Sequence, residues 1–253
     1  EVENKDNSQF IDMSLAKDIE AYFQENGIDH EKVAYCITDL EHNIKYSMNE
    51  KDEFIAASIY KLPLAMLYYD KINEGEYTLD STFTYSGYMH EDAGVISSDY
   101  GIGSQVPLSD LLNDLIIYSD NDAGHILYEN LGGWKEYKEA MTKYTDSISE
   151  NYYTMDNVTT ANTMNDVVTY LYDYKEDYKG LIKNMEEAEP GEYLDSDTQL
   201  SMPQKYGMYD SALNSVGFVE CNTSYSIVVL TSLGDKGADV MANINRIAYE
   251  HFK

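Results

Sequence analysis

Arginine is almost missing from this chain. Arg246 is the only one among 253 residues, which leaves little means of clamping a phosphate bidentately. Cysteine is nearly as scarce. Cys36 and Cys221 do not make a disulfide framework, and Cys36, in the strand-like "KVAYCITDL", is expected to be a buried free thiol. The five histidines lie far apart, and no His/Cys cluster has metal-ligand spacing. No metal or cofactor is therefore expected. No apolar run is long enough to cross a bilayer, so no transmembrane segment is expected. The chain opens on the polar "EVENKDNSQF", without an initiating Met or a signal-like apolar segment. That fits a mature form whose export signal has been removed, although a cytosolic form would read the same.

Positive charge as a whole is outnumbered. Lys and Arg total 17 against 46 Asp and Glu, giving a net charge of −29. Nucleic acid and anionic membrane surfaces would repel such a chain and are excluded as partners. What is present is ordinary globular material. Hydrophobic residues make up 43%, and the length suffices for one large domain or two smaller ones around a well-buried core. The 25 tyrosines are spread along the whole chain and read as amphipathic packing residues.

Periodicity divides the chain. "SLAKDIEAYFQ" spaces Leu15, Ile19 and Phe23 four apart, an amphipathic helix with Ser14 as its expected cap. Two alternating stretches, 32–40 and 44–48, read as a hairpin. A helix follows from about Ser58 to Asn73. "PLSDLLNDLIIY" places Leu108, Leu111, Leu112, Leu115 and Ile116 on one face, the clearest buried helix. More helices are read over 122–130, 134–144 and 160–174, and "EEAEPGEYLDSD" reads as a connector. "QLSMPQKYG", "SALNSVGFVE" and "SYSIVVLTS" then read as three strands, with a last helix over 235–251. The expected fold is α/β (α+β). A five-stranded antiparallel sheet with packed terminal helices takes residues 1–57 and 195–253, and an all-helical domain takes 58–194. A site is expected in the cleft between them.

Three short motifs could carry chemistry there. In "SIYK", Ser58 and Lys61 sit three apart at a helix start and share a face. A serine hydroxyl becomes a nucleophile when a neighbour takes its proton, and a lysine of lowered pKa can do so. Pro63 must then fall in the first turn of the helix. Taken alone, the pair reads first as a helix cap followed by a solvated lysine. In "YSDNDAG", Asp120, Asn121 and Asp122 are all good N-caps, while Ser119 could relay a proton and Asn121 could hold a carbonyl. In "QKYG", Lys205 would be a fixed positive charge on an edge strand, and Gly207 would let a ligand backbone come close. Alone, that stretch reads as a solvent-facing lysine and a turn glycine.

Order changes these readings. Ser-x-x-Lys, then Ser-Asp-Asn, then Lys-x-Gly resembles the motif set of the penicillin-recognising serine enzymes, the class A β-lactamases and penicillin-binding proteins. "SDNDAGHILYENLGG", "NVTTANTM" and "NSVGFV" with "SYSIVVLTS" are similar to further stretches of that family, and the likeness runs from about Ser14 to the C-terminus. The resemblance implies an acylated nucleophile at Ser58, with Lys61 as its base or orienting charge. It places Ser119 and Lys205 in a proton relay and an anion-binding wall, and Asn121 on the substrate amide. The N–H groups of Ser58 and Met208 would form an oxyanion hole. The implied partner is a small peptide, a peptidoglycan stem peptide or a β-lactam-like substrate, met outside the cytoplasm as a secreted or cell-surface protein.

Two departures qualify the resemblance. The loop before Thr159, "TDSISENYYTMDNV", lacks the Glu-x-x-Leu-Asn with which the class A enzymes deacylate. Glu150, Asp146 and Asp156 are the nearest carboxylates. Tyr206 replaces the threonine whose hydroxyl holds the substrate carboxylate. The expected function is a serine hydrolase or acyltransferase acting on a peptide or amide, with weak or no β-lactam turnover. The rivals are a true class A-like β-lactamase and a non-catalytic binding or sensing module on the same fold.

Overall fold

The computed structural model describes residues 13–87, 94–154, 156–196 and 202–253. The beginning of the expected strand at 199–201 and residue 155 of the loop before Thr159 lie outside them. In chain order the elements are α1 (Ser14–Asn26), β1 (Val33–Asp39), β2 (Ile44–Met48), β3 (Phe54–Ile55), α2 (Lys61–Asn73), β4 (Thr82–Thr84), α3 (Val95–Asp99), β5 (Gln105–Pro107), α4 (Leu108–Ile117), α5 (Asn121–Asn130), α6 (Trp134–Met141), β6 (Val158–Thr159), α7 (Ala161–Asp173), α8 (Lys179–Glu187), β7 (Gln204–Tyr209), β8 (Ala212–Val219), β9 (Tyr225–Thr231) and α9 (Lys236–Phe252).

Five strands form one antiparallel sheet in the order β2-β1-β9-β8-β7. Alternation assigns each face. Val33, Tyr35 and Ile37 of β1 and Tyr225, Ile227 and Val229 of β9 pack with Leu15, Ile19 and Phe23 of α1 and Val240, Met241 and Ile244 of α9. Ala34 and Cys36 of β1, Val216 and Phe218 of β8 and Val228 and Leu230 of β9 turn the other way, into a core shared with the helices. Both faces are covered, so the three central strands are buried along their whole length. β2 and β7 are the edges.

The helical layer is centred on α2 and α4. All five apolar residues picked out in α4 are buried, each contributing about 1.5–3 kcal/mol. Pro63 is the third residue of α2, inside the first turn, where its missing N–H costs no helical bond. Asp120 caps α5 by accepting from the Ala123 N–H at 2.8 Å, and its other oxygen accepts from the Val95 and Ile96 N–H groups. Gly27, in the left-handed region at φ 60°, ends α1.

Two expectations need correction. Ser14 is not the cap of α1. Met13 holds that position, and the Ser14 hydroxyl meets His251 Nδ1 at 3.3 Å, tying α1 to α9. The stretch read as a connector begins inside α8, which its three-four spacing of Leu181, Asn184 and Met185 buries. Cys36 is the buried free thiol expected, and Cys221 is free as well. Burial holds the Cys36 thiol up at about 12. No helix of the described residues is long and apolar enough to cross a membrane, and no cluster among them could hold a metal ion.

Candidate active site

Ser58 lies in a single 3-10 turn, Ala57–Tyr60, that runs into α2. The residue before it is strained. Ala57 has φ +51°, a left-handed conformation that costs a non-glycine residue about 1–2 kcal/mol. Two asparagine amides and a backbone bond hold the chain there. Asn157 Nδ2 donates to the Ala57 carbonyl at 3.0 Å, and the Ala56 N–H donates to the Asn157 carbonyl at 3.0 Å. From the sheet side, fully buried Asn214 donates to the carbonyls of Ile55 and Ala56 at 2.8 and 3.1 Å, and its own oxygen accepts from the Thr231 N–H. The sequence reading missed both asparagines. Their signal is positional, an amide in the loop before Thr159 and one at mid-strand, and neither stands out without the fold.

Lys61 is not solvated. It is 0% exposed. Its Nζ lies 3.1 Å from Ser58 Oγ, 2.5 Å from Asn121 Oδ1, 2.5 Å from the Ser119 carbonyl and 3.4 Å from Ser119 Oγ. Gly124 of α5 makes room for this packing, because a Cβ there would fall 2.6 Å from Tyr60 Oη and 3.4 Å from Lys61 Cε. Ser119 sits at the turn between α4 and α5 with φ +56°, which aims its hydroxyl between two lysines.

The second of these is Lys205 on the edge strand β7, also 0% exposed rather than solvent-facing. It donates to Ser119 Oγ at 3.0 Å and to the Tyr206 carbonyl at 2.8 Å. Burial, and then the nearby charge of Lys61, push its pKa well below the usual lysine range, with Glu189 pulling weakly the other way. A continuous polar chain results: Ser58 Oγ, Lys61 Nζ, Ser119 Oγ, Lys205 Nζ. Ser58 itself is half-buried.

Gly207 brings β7 against the Ser58 turn. A Cβ at this position would lie 2.5 Å from the Ser58 nitrogen and 2.8 Å from that of Ile59, so only glycine permits the approach. Met208 follows with its side chain exposed. Tyr206 stacks on Tyr193 with ring centroids 4.8 Å apart and planes 18° apart. Burial, and then Glu189, hold its phenol up at about 12, so it stays neutral. Ser58, Lys61, Ser119, Asn121, Lys205, Tyr206, Gly207 and Met208 thus converge from three distant stretches.

The family model described as the beta-lactamase enzyme family matches residues 14–252. The chain belongs to the beta-lactamase enzyme family. Its members are penicillin-recognising serine hydrolases, and this chain is one of them. The family fold is also that of its structural neighbours. A β-lactamase from Chitinophaga pinensis is 20% identical with a TM-score of 0.79, covering 95% of this chain and 100% of that one. TLA-3 extended-spectrum β-lactamase is 20% identical at 0.80, covering 94% and 98%. A PBP-A variant solved as its acyl-enzyme complex with penicillin G is 16% identical at 0.79, covering 95% and 96%. No curated protein matches the chain in sequence at a significant level.

Within this family fold, the loop before Thr159 meets the Ser58 turn through the Asn157 amide. Glu150, Asp146 and Asp156 are exposed. Glu150 and Asp146 line an open surface cavity with Lys51, Asp52 and Glu53, on a segment that Glu53 fastens by accepting from Asn151 N and Nδ2. Asp156 offers its carbonyl to Trp134 Nε1 at 2.7 Å.

Proposed function

We propose that this member of the family forms an acyl-enzyme on Ser58 with a peptide or amide of the peptidoglycan type, and turns β-lactams over weakly or not at all. The reading takes the chain as two lobes, 1–57 with 195–253 and 58–194, with the substrate in the cleft between them. The observation that carries it is the 3.1 Å contact of Ser58 Oγ with a fully buried lysine. Unprotonated Lys61 takes the Ser58 proton as Oγ bonds to the substrate carbonyl carbon. The oxyanion is stabilised by the N–H groups of Ser58 and Met208. The proton passes through Ser119 to the leaving amine as the C–N bond breaks, and Lys205 steadies the charge on Ser119. Asn121 holds the substrate amide. An accessible serine with two converging lysines favours this over a binding-only module.

Slow deacylation follows from what faces the turn. Asn157 is an amide, already donating to Ala57, and an amide cannot remove a proton from water. The three nearby carboxylates are exposed, which suits solvation rather than base catalysis. An extracytoplasmic location fits a peptidoglycan-type substrate.

The test is intact-mass and peptide mass spectrometry after exposure to penicillin G. The expected result is one acyl adduct on Ser58, absent from Ser58→Ala, that persists for many minutes. No adduct, or the same adduct in Ser58→Ala, overturns the acylation. Sustained hydrolysis of a chromogenic cephalosporin, without a stoichiometric burst, overturns the slow turnover and supports a working β-lactamase.

A further inference from the structure

Lys205 Nζ is buried at the Ser119 end of the polar chain that starts at Ser58, and when protonated it would be the obvious partner for an anionic substrate group. Its surroundings close it off. An ammonium has three N–H donors. Here one meets Ser119 Oγ at 3.0 Å and a second the Tyr206 carbonyl at 2.8 Å. The face of the Tyr206 ring takes up the remaining side, with its centroid 4.3 Å from Nζ, well inside the range of a cation–π contact. The ammonium is 0% exposed.

The ring is not free to swing aside. It stacks on Tyr193, and Tyr193 belongs to a segment fastened to β7 from beneath. Gln204 Nε2 donates to the carbonyls of Glu189 and Glu192 at 3.2 and 3.0 Å, and Gln204 Oε1 accepts from the Leu194 N–H and the Ser215 hydroxyl. Asp195 accepts from the Gly191 N–H within the same turn. Glu189 and Glu192 are exposed and add negative potential around this stack; Glu189 acts on both tyrosines and Glu192 on Tyr193. The single arginine offers no substitute. Arg246 lies on α9, across the sheet from Ser58, bordering a surface groove with Asp18 and His251.

We propose that the Tyr206 ring caps Lys205 against the substrate, so that the group next to the scissile bond is read as neutral and a free carboxylate there is not required. This rests on acylation of Ser58. An uncharged ester or amide terminus then packs on the Tyr206 and Tyr193 rings, where a carboxylate would lose water without gaining a cation.

The test uses a matched pair of thioesters, benzoyl-glycyl thioglycolate with a free carboxylate and its methyl ester. The rate constant for acylation is read from thiol release, and the Ser58 adduct is verified by mass. In the unaltered protein the ester is expected to react at least as fast as the acid. Tyr206→Thr uncaps the ammonium and shifts the ratio towards the acid about 10–100-fold, the range of one charge-assisted hydrogen bond. Tyr206→Phe keeps the ring and keeps the ratio. A preference of the unaltered protein for the acid above tenfold, or a Tyr206→Phe that behaves like Tyr206→Thr, overturns the cap while leaving Ser58 acylation intact. Failure of both thioesters and of penicillin G to modify Ser58 overturns the acylation reading, and the cap with it.

Discussion

Ser58 is placed by residues outside its polar chain, because Asn157 and Asn214 grip the carbonyls just before it. Ala57 at φ +51° would relax towards an ordinary conformation if released, and the relaxed turn would carry the Ser58 N–H and Oγ with it. Asn157 is a positioning residue on this account. Asn157→Ala should lower the acylation rate constant about 10–100-fold, since displacement of a reacting group by about 1 Å costs on that order. Noncovalent affinity should change little. Asn157→Asp, which keeps the shape and loses the donor, should fall as far. A purely structural asparagine would instead change melting temperature in both variants and leave acylation of the folded fraction untouched. Stopped-flow acylation at several probe concentrations separates the two.

Among the elements, α4 carries both the strongest apolar face and the least comfortable carboxylate. Asp114 is buried near the end of that helix, where its carbonyl accepts from the Asp120 N–H. Burial, followed by the charges of Asp120, Asp110 and Asp99, raises its pKa from 3.8 to about 7. The native state thus holds a proton that the unfolded chain releases near pH 4, so Asp114 subtracts stability as pH rises from about 4 to about 7. Asp114→Asn should melt with the unaltered protein near pH 4 and progressively above it through pH 7, with the gap constant beyond. Thermal melts at four pH values check the sign. The helix itself is written plainly in its leucine spacing, as the central strands are in their alternation. α8 is not, because its buried face is one leucine, one asparagine and one methionine in an otherwise charged stretch. The site was legible as three motifs whose meaning lay in their order. Asn157, Asn214 and the Tyr206–Tyr193 stack were not legible, since each depends on a contact between stretches 13 or more residues apart in sequence.

Taken whole, the molecule keeps two of its few basic side chains, Lys61 and Lys205, entirely inside, so neither adds positive charge to the surface of a chain whose net charge is −29. Self-repulsion of that surface should be screened by salt. Raising sodium chloride from about 0.02 to 0.5 M should therefore raise the melting temperature by several degrees, and calorimetry that finds no rise would contradict it. The sheet has a further consequence, one of timing. β1 pairs along its whole length with β9, residue 33 opposite residue 231, and Asn214, which grips the Ser58 turn, is itself held by Thr231. A chain still emerging from a ribosome or a membrane pore has Ser58, Lys61 and Ser119 long before it has that partner strand. On the proposed acylation of Ser58, the serine stays inert in transit and becomes competent only when β9 slots between β1 and β8, so that arrival of the last strand arms the protein.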